Sequence, residues 1–380
     1  MRSKLPLTQT SIFTQMSVMA HKNGALNLSQ GFPNFNSDPV LLELVTKAMK
    51  DGYNQYAPMP GDMGLREAIC DKLESLYKTK YDPVDEVTIT AGATQAIFTT
   101  ITALVHPGDE VLIFTPAYDC YQPAIELQGA KAIPIQLKAP AYKVDWQQVA
   151  NAITAKTKMV IVNTPHNPCG SIFLESDMLE LERLANKHDL LVLSDEVYEH
   201  IIFDKAKHQS VARFASLAKR SVIVASFGKT FHNTGWKMGY CVAPKQLMTE
   251  IRKVHQFNVF SVNHPIQKAL AEYLKNPWTY LSLGDFYQSK RDLFLEGLNG
   301  TLFKALPSRG TYFQLVDISQ LTDLSDIAYA KQLTQEHKLA TIPTSVFNQG
   351  QEDHRMLRFC FAKTTETIEQ AITILKKIGT

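Results

Sequence analysis

Two polar side chains that follow apolar segments could together carry out chemistry on an amine. Lys229 comes soon after the apolar run 222–225, and Asp195 ends the apolar run 190–194. A lysine amine adds to a carbonyl and forms an imine where burial or a nearby positive charge lowers its pKa, and Lys237 could supply such a charge. A carboxylate at the end of an apolar strand is costly unless it is paired or hydrogen-bonded, so Asp195 either faces a buried cation or caps a helix. For a lysine taken alone, an exposed loop is the more frequent location.

These two residues need strands that end side by side. Apolar and β-branched runs predict strands at 86–90, 110–114, 159–162, 190–194, 222–226 and 238–243, and helices are predicted at 40–50, after residue 94, at 264–274 and at 286–298. Open α/β sheets bind ligands at the edge where their parallel strands end. Lys229 and Asp195 are therefore expected to meet at that edge.

The two ends of the chain have a different pattern. Strands are expected at 311–316 and 356–361, with helices near 323–337 and 365–378, which together indicate a small α+β unit. Residues 26–33 finish in glycine and proline, so they are expected to form an arm rather than a strand of a sheet.

The composition limits the class of protein. A chain of 380 residues can bury a large core, and its formal charge, 39 − 37 = +2, favours neither nucleic acid nor a membrane surface as a partner. The odd number of cysteines and the lack of C-x-x-C predict reduced thiols and no metal site at Cys70, Cys120, Cys169, Cys241 and Cys360. No stretch has the length and apolar character of a signal peptide or a membrane span, so a cytoplasmic location is expected.

The lysine segment resembles a known signature. Residues 226–239 contain Ser-x-x-Lys and then Gly-x-Lys-x-Gly, which is similar to the cofactor-lysine motif of the class I and II aminotransferases, enzymes that hold pyridoxal phosphate. Gly-Lys-Thr-Phe at 228–231 and Thr-Gly-Trp-Lys-x-Gly at 234–239 resemble the branch that acts on kynurenine, glutamine and methionine. The broad family usually has arginine at the position of Lys237 and a small residue at that of His232. Lysine is a point charge without the bidentate fork of arginine.

The resemblance implies a fold and a division into domains. It predicts an α/β protein whose large domain has a mostly parallel, seven-stranded sheet flanked by helices, together with a smaller α+β domain. The expected boundaries are 1–45 for the N-terminal arm and part of the small domain, 46–280 for the large cofactor-binding domain, and 281–380 for the small C-terminal domain.

The resemblance also assigns the phosphate of the cofactor. It places this group on Gly92, Ala93 and Thr94, with Lys237 as a further phosphate partner and Ser226 among the cofactor contacts. A glycine turn that opens a helix suits a phosphate, because free amide groups and the positive end of the helix dipole meet there. From the residues alone, an ordinary helix start is the preferred interpretation.

The ring of the cofactor is assigned in the same way. The resemblance implies that Tyr118 stacks on the pyridine ring, Asn167 binds the ring hydroxyl, Tyr198 lies near that hydroxyl, and Asp195 keeps the ring nitrogen protonated. The catalytic residues would be Lys229, Asp195 and Tyr198. Taken alone, an aromatic side chain after a strand is usually part of the core.

The substrate and a second subunit complete the implied site. The guanidinium of Arg358, inside an apolar strand, would bind the α-carboxylate of the substrate together with Asn167, near Gly31 and Phe32 of the arm. A structural ion pair is the alternative for Arg358. Tyr56 would reach the cofactor phosphate of the partner in a homodimer, although its segment alone indicates a surface loop.

The implied function is a ping-pong aminotransferase. It would move the amino group of a large apolar, thioether or aromatic amino acid to a 2-oxo acid. Methionine, phenylalanine and tyrosine are the expected donors, with kynurenine as a further candidate, because aromatic residues lie on segments near the expected pocket at Phe32, Tyr118, Phe257, Phe260 and Phe347. Two alternatives use the same fold, a carbon–sulfur lyase and a non-catalytic binding protein. A serine acyl-enzyme at Ser226 lacks the accompanying Ser-Asp-Asn and Lys-Thr-Gly motifs.

Overall fold

A seven-stranded sheet lies at the centre of the fold in the computed structural model, which describes residues 3–6 and 8–379. The strands are β1 (Leu26–Asn27), β2 (Val87–Thr90), β3 (Glu110–Thr115), β4 (Lys131–Gln136), β5 (Thr157–Asn163), β6 (Leu191–Asp195), β7 (Ser221–Ser226), β8 (Gly239–Val242), β9 (Lys304–Ala305), β10 (Phe313–Asp317), β11 (Leu339–Ala340), β12 (Ile342–Pro343) and β13 (Met356–Cys360). The helices are α1 (Ile12–Lys22), α2 (Pro39–Lys50), α3 (Met63–Tyr77), α4 (Gly92–Leu104), α5 (Tyr121–Glu126), α6 (Trp146–Ala152), α7 (Glu175–Lys187), α8 (Ala215–Ala218), α9 (Phe227–Thr230), α10 (Lys245–Asn258), α11 (His264–Tyr273), α12 (Trp278–Leu281), α13 (Leu283–Leu298), α14 (Asp326–Gln335) and α15 (Thr365–Gly379).

The strand order of the large sheet is β2-β8-β7-β6-β5-β3-β4. Strand β8 runs antiparallel to both of its neighbours, and the other six strands are parallel to one another. Helices cover both faces, which is why the strands read as nearly continuous apolar runs. The predicted α/β fold with a mostly parallel seven-stranded sheet is confirmed.

The two faces of the sheet pack against different helices. In β3, Val111 and Ile113 belong to a buried cluster with α4, α5 and α10, whereas Leu112 and Phe114 belong to the larger cluster on the opposite face. This alternation follows from the two-residue period of a strand. A continuous apolar run in such a strand therefore fills two cores at once.

A smaller antiparallel sheet has the order β12-β13-β10-β9. Its central strand β13 contains Arg358, which is paired with Leu315 of β10 and Ile342 of β12. Helices α13 and α15 pack closely, since a Cβ atom on Gly297 would come within 2.4 Å of Ile372. The assignment of the segments 1–45, 46–280 and 281–380 to separate domains stays a prediction.

The N-terminal segment differs in part from the expected arm. Leu26 and Asn27 form β1, which pairs in parallel with β11, so the prediction of an arm was wrong for these two residues. The backbone amide of Cys360 then donates to the carbonyl of Leu28 at 2.9 Å. Residues 29–38 continue from β1 to α2 without regular structure. Strands β1 and β11 form a separate two-stranded sheet, and the bond from Cys360 of β13 to Leu28 attaches the arm to the small sheet before it reaches the large one.

The helices of the structure do not include a membrane span. Across residues 3–6 and 8–379, every helix is too short or too polar to cross a bilayer.

Candidate active site

A cavity of about 320 Å³ opens at the carboxyl edge of the large sheet, between that sheet and the arm. Most of the site residues predicted from the sequence line it, namely Gly31, Phe32, Gly92, Ala93, Thr94, Tyr118, Asn167, Asp195, Tyr198, Ser226, Lys229, Lys237 and Arg358. The lining also includes Phe13, Gln30, Ile97, Asn163, Val197, Gly228, Thr234, Met238 and Phe313. The structure therefore brings together residues from the large sheet, the arm and the small sheet.

Lys229 lies in the short helix α9, directly after β7. Its Nζ points into the cavity and donates to the backbone carbonyl of Gly31 at 3.1 Å. Burial lowers the pKa of Lys229 to about 8, and the positive charges of Arg358 and Lys237 act in the same direction. A lysine in this environment has a substantial neutral fraction near neutral pH, which is the nucleophilic form.

Asp195 ends β6, the neighbour of β7 in the sheet. Its Oδ2 accepts from the Tyr121 hydroxyl at 2.5 Å, and its Oδ1 accepts from the Val197 amide at 3.3 Å. Burial raises the pKa of Asp195 to about 6 despite these two neutral donors. A cation bound beside this carboxylate would therefore stabilise its charged form.

The opposite end of the cavity is suited to an anion. Helix α4 begins at Gly92, whose φ of +75° is strained for any residue with a side chain, and the first turn of a helix has amide groups without intrahelical partners. Lys237 also has a left-handed backbone, with φ of 55°, and its Nζ lies 3.7 Å from the point where a Cβ atom on Gly92 would be. The amides of a helix start and an ammonium group thus converge there.

Arg358 occupies the side of the cavity that faces the small sheet. Its Nη1 donates to Asn167 Oδ1 at 2.8 Å and its Nη2 donates to the Ser29 carbonyl at 3.0 Å, while its buried Nε has no hydrogen-bond partner among the described residues. The guanidinium stacks 3.9 Å from the ring centre of Phe313 and 5.1 Å from that of Phe13. A buried guanidinium with only neutral acceptors is suited to a carboxylate.

Three further residues that were predicted to contact the cofactor ring also line the cavity, namely Asn167, Tyr198 and Tyr118. The backbone of Asn167 is held in place because its backbone N–H donates to Asn163 Oδ1 at 2.8 Å. The Tyr198 ring centre lies 5.9 Å from Lys229 Nζ, and the Tyr118 hydroxyl lies 3.4 Å from Thr94 Oγ1. Burial raises the pKa of both tyrosines above the ordinary value.

Some predicted residues lie elsewhere, and sequence reasoning missed others. Tyr56 is 81% exposed and is not a lining residue. Phe257 and Phe260 are also exposed and do not line the cavity of their own chain, whereas Phe347 is buried against the lining residues Phe13 and Arg358 without lining the cavity itself. Aromatic lining comes instead from Phe13 of α1 and from Phe313.

The comparisons with known proteins agree on one family. The sequence model for "Aminotransferase class I and II" matches residues 23–375. The chain is 48% identical to a methionine aminotransferase of Escherichia coli K12, over 99% of this chain and 98% of that protein. It is 32% identical to human kynurenine–oxoglutarate transaminase 3, over 97% of this chain and 88% of that protein.

A solved structure of an Escherichia coli protein identified as a methionine aminotransferase superimposes with a TM-score of 0.96. That alignment has 47% identity and covers 99% of both chains. A match of this extent includes every segment that lines the cavity. The chain therefore belongs to the class I and II aminotransferases.

Proposed function

We propose that this aminotransferase uses pyridoxal phosphate to move the amino group of methionine and of large apolar or aromatic amino acids to a 2-oxo acid. The observation that carries the proposal is the cavity itself, which has an anion-binding end, a buried carboxylate, a reactive lysine and one buried guanidinium. The 48% identity to a methionine aminotransferase supports the choice of donor. Kynurenine is a further candidate, since kynurenine transaminases are also relatives.

The residues present fit the cofactor. The helix start at Gly92, with Lys237 beside it, offers amides and an ammonium to a phosphate. The buried carboxylate of Asp195, which accepts from the Tyr121 hydroxyl and the Val197 amide, is available to a protonated ring nitrogen. When bound, pyridoxal phosphate supplies a carbonyl carbon that condenses with amines and a ring that accepts electrons.

Each side chain would then have a separate task. The Lys229 amine would hold the cofactor at its carbonyl carbon, and once released it would take the proton from the substrate Cα at its Nζ. Asp195 would keep the ring nitrogen protonated. Tyr118 would stack on the ring, and Tyr198 and Asn167 would bind near the ring hydroxyl. Ser226 and Thr94 would bind the phosphate end.

Arg358 would bind the α-carboxylate of the amino acid. Its Nη1 is already held by Asn167, and its unpartnered Nε is a donor still to be satisfied. Gly31 and Phe32 of the arm would close over the substrate from the other side. This arrangement would fix one end of the amino acid and leave its side chain to the rest of the cavity.

The substrate side chain would meet aromatic rather than cationic groups. Phe13, Phe32 and Phe313 line the cavity, and Arg358 is the one arginine among its described lining residues. A second carboxylate, as in aspartate, would be desolvated without a matching guanidinium. A thioether or an aromatic ring would pack there without such a cost.

Tyr56 would act in the partner subunit of a homodimer. It lies on the loop before α3, is 81% exposed, and is outside the cavity of its own chain. An exposed tyrosine beside an exposed Phe260, with ring centres 5.5 Å apart, is typical of a protein interface.

The substrate proposal predicts a clear order of donors. The holoenzyme is mixed with methionine, phenylalanine, tyrosine, kynurenine or aspartate singly, and the change in cofactor absorbance is followed through the first half-reaction. We expect kcat/KM for methionine to exceed that for aspartate by at least about a hundredfold, because a buried unpaired carboxylate is strongly disfavoured. Equal reaction with aspartate would overturn the donor assignment. Continuous release of a 2-oxo acid without any acceptor would instead indicate a lyase.

A further inference from the structure

Tyr312 lies directly behind the cavity without lining it. Its side chain is fully buried, and its hydroxyl donates to the backbone carbonyl of Gly31 at 2.6 Å. Its ring packs edge to face with that of Tyr198, with 5.2 Å between ring centres, and lies 5.6 Å from the Nζ of Lys229. Any effect of Tyr312 on the reaction must therefore pass through a neighbour.

The Gly31 carbonyl is the neighbour that both the Tyr312 hydroxyl and the Lys229 amine contact. It accepts from Tyr312 and, at 3.1 Å, from the Nζ of Lys229, so both lone pairs of one oxygen are used. The Cα of Gly31 is equally confined, because an added Cβ atom would lie 2.6 Å from the Phe313 ring and 3.4 Å from the Tyr312 ring. The arm is thus fixed at the point where it meets the lysine amine.

The backbone before Tyr312 is strained. Thr311, a buried β-branched residue, has a φ of +67°, which such residues rarely adopt. Its amide donates to the Ile201 carbonyl at 2.9 Å, and the preceding Gly310 has no room for a side chain against Pro165. Strain of this kind persists where the surroundings determine the conformation, and it is concentrated at functional sites. Here its result is the placement of the Tyr312 hydroxyl on the arm.

We propose that Tyr312 is a positioning residue for proton transfer by Lys229, acting through the Gly31 carbonyl. The inference rests on the proposed function, in which the free amine takes the substrate Cα proton at Nζ. A neutral amine that donates one hydrogen to a fixed carbonyl keeps its lone pair available for that proton. Without the fixed oxygen, the long lysine side chain gains rotamers that point the lone pair elsewhere.

The test compares two variants that each lose one buried hydroxyl. Tyr312→Phe removes the donor to Gly31. Tyr287→Phe is the matched control, because Tyr287 is equally buried and packs against Tyr312, whereas its hydroxyl is paired with His232 at 2.9 Å. Single-turnover rates of the holoenzymes are measured with methionine and with methionine deuterated at Cα. Hydrogen exchange of the amides in 28–33 is measured on the cofactor-free proteins.

We expect Tyr312→Phe to slow the single-turnover rate about tenfold and to enlarge the isotope effect, while the apparent Kd for methionine changes less than about threefold. Exchange in 28–33 should accelerate in this variant and stay near the wild-type rate in Tyr287→Phe. An unchanged rate and isotope effect in Tyr312→Phe would overturn the inference, as would equal slowing in both variants. A wild-type enzyme without a half-reaction for any amino acid would refute the proposed function instead, and the exchange result would still report on the arm.

Discussion

Burial does more than charge to prepare the Lys229 amine. Removal from water lowers the pKa of Lys229 to about 8, and the neighbouring Arg358 and Lys237 add to the effect, while Asp195 opposes it. The amine therefore loses its proton as the pH rises past about 8, whereas a lysine in water does so near 10.4. About half of the amine is neutral at pH 8, and nearly all of it is neutral about one pH unit higher.

This predicts a pH profile for the reactivity of Lys229. In the cofactor-free protein, its acetylation by a trace of acetic anhydride should increase with pH, pass its midpoint near pH 8 and level off above about pH 9, as read by mass spectrometry of the peptide. Lys237→Gln removes a positive charge, so it should move the midpoint to higher pH. Lys245→Gln, at an exposed lysine that pairs with Asp85, is the control and should leave the midpoint in place. A midpoint near 10.4 in the wild type would contradict the role of burial.

Some site residues could be predicted from the sequence and others could not. Lys229 and Asp195 end apolar runs, and this local pattern indicates the edge of a sheet. Phe13 gives no such signal, because it approaches the cavity only through the tertiary packing of α1. Tyr312 is a similar case. Residues 311–316 read as a strand, but the left-handed Thr311 delays β10 until Phe313, and no residue type marks that turn.

The turn after β6 is held by a buried ion pair. Glu199, one residue after Tyr198, pairs with Lys72 of α3 at 2.5 Å and accepts from the Tyr77 hydroxyl at 2.7 Å. Burial favours the neutral acid, but Lys72 and His200 outweigh it and hold the pKa of Glu199 well below its ordinary value. The pair connects α3 to the turn that delivers Asp195 and Tyr198.

Removing the charge of one partner of this ion pair should lower the stability of the folded protein. Glu199→Gln would leave Lys72 buried without its anion, a change that typically costs about 3–5 kcal/mol. We expect the melting temperature to fall by roughly 5 °C or more. Glu180→Gln breaks an exposed pair with Arg183 and should shift it by no more than about 1 °C. A double change, Glu199→Gln with Lys72→Met, should recover part of the loss, and equal melting of the wild type and Glu199→Gln would contradict the argument.

The sequence predicts that the large sheet is mostly parallel, but it does not predict the order of the strands. Continuous apolar runs indicated parallel strands buried on both faces. The runs do not encode that β8 inserts antiparallel between β2 and β7, since the pairing of β8 with β2 joins segments far apart in sequence. The two-residue strand β1 was missed for the same reason, because its partner β11 lies more than 300 residues away.

On the surface of the chain, one group of exposed aromatic residues consists of Tyr56 and Phe260, whose rings pack together, and of Phe257, three residues before Phe260. Tyr56 is 81% exposed, Phe257 is 87% exposed and Phe260 is 46% exposed. Tyr56 lies on the segment before α3, Phe257 lies at the end of α10, and Phe260 follows that helix. Such a patch is expected to be covered in a dimer.

The proposed dimer predicts a coupled loss of assembly and cofactor binding. Phe257→Glu should shift the protein towards monomer in sedimentation experiments and weaken pyridoxal phosphate binding about tenfold or more, because Tyr56 of the partner subunit would no longer reach the phosphate. Trp278→Glu changes an aromatic residue that is 68% exposed on α12 and should affect neither property. A monomeric Phe257→Glu variant with unchanged cofactor affinity would separate Tyr56 from the site.

The pairing of β1 with β11 has a consequence for the nascent chain. Synthesis proceeds from the N-terminus, so β1 cannot pair until β11 has been made. The hydrogen bond of Leu28 cannot form until Cys360 has been made. Arg358 is made in the same late segment. A chain interrupted before residue 339 could present the helix start at Gly92 and the Lys229 amine, but it would have neither an anchored arm nor a guanidinium for a carboxylate. Competence to receive an amino acid is thus acquired only after residue 360 has been made.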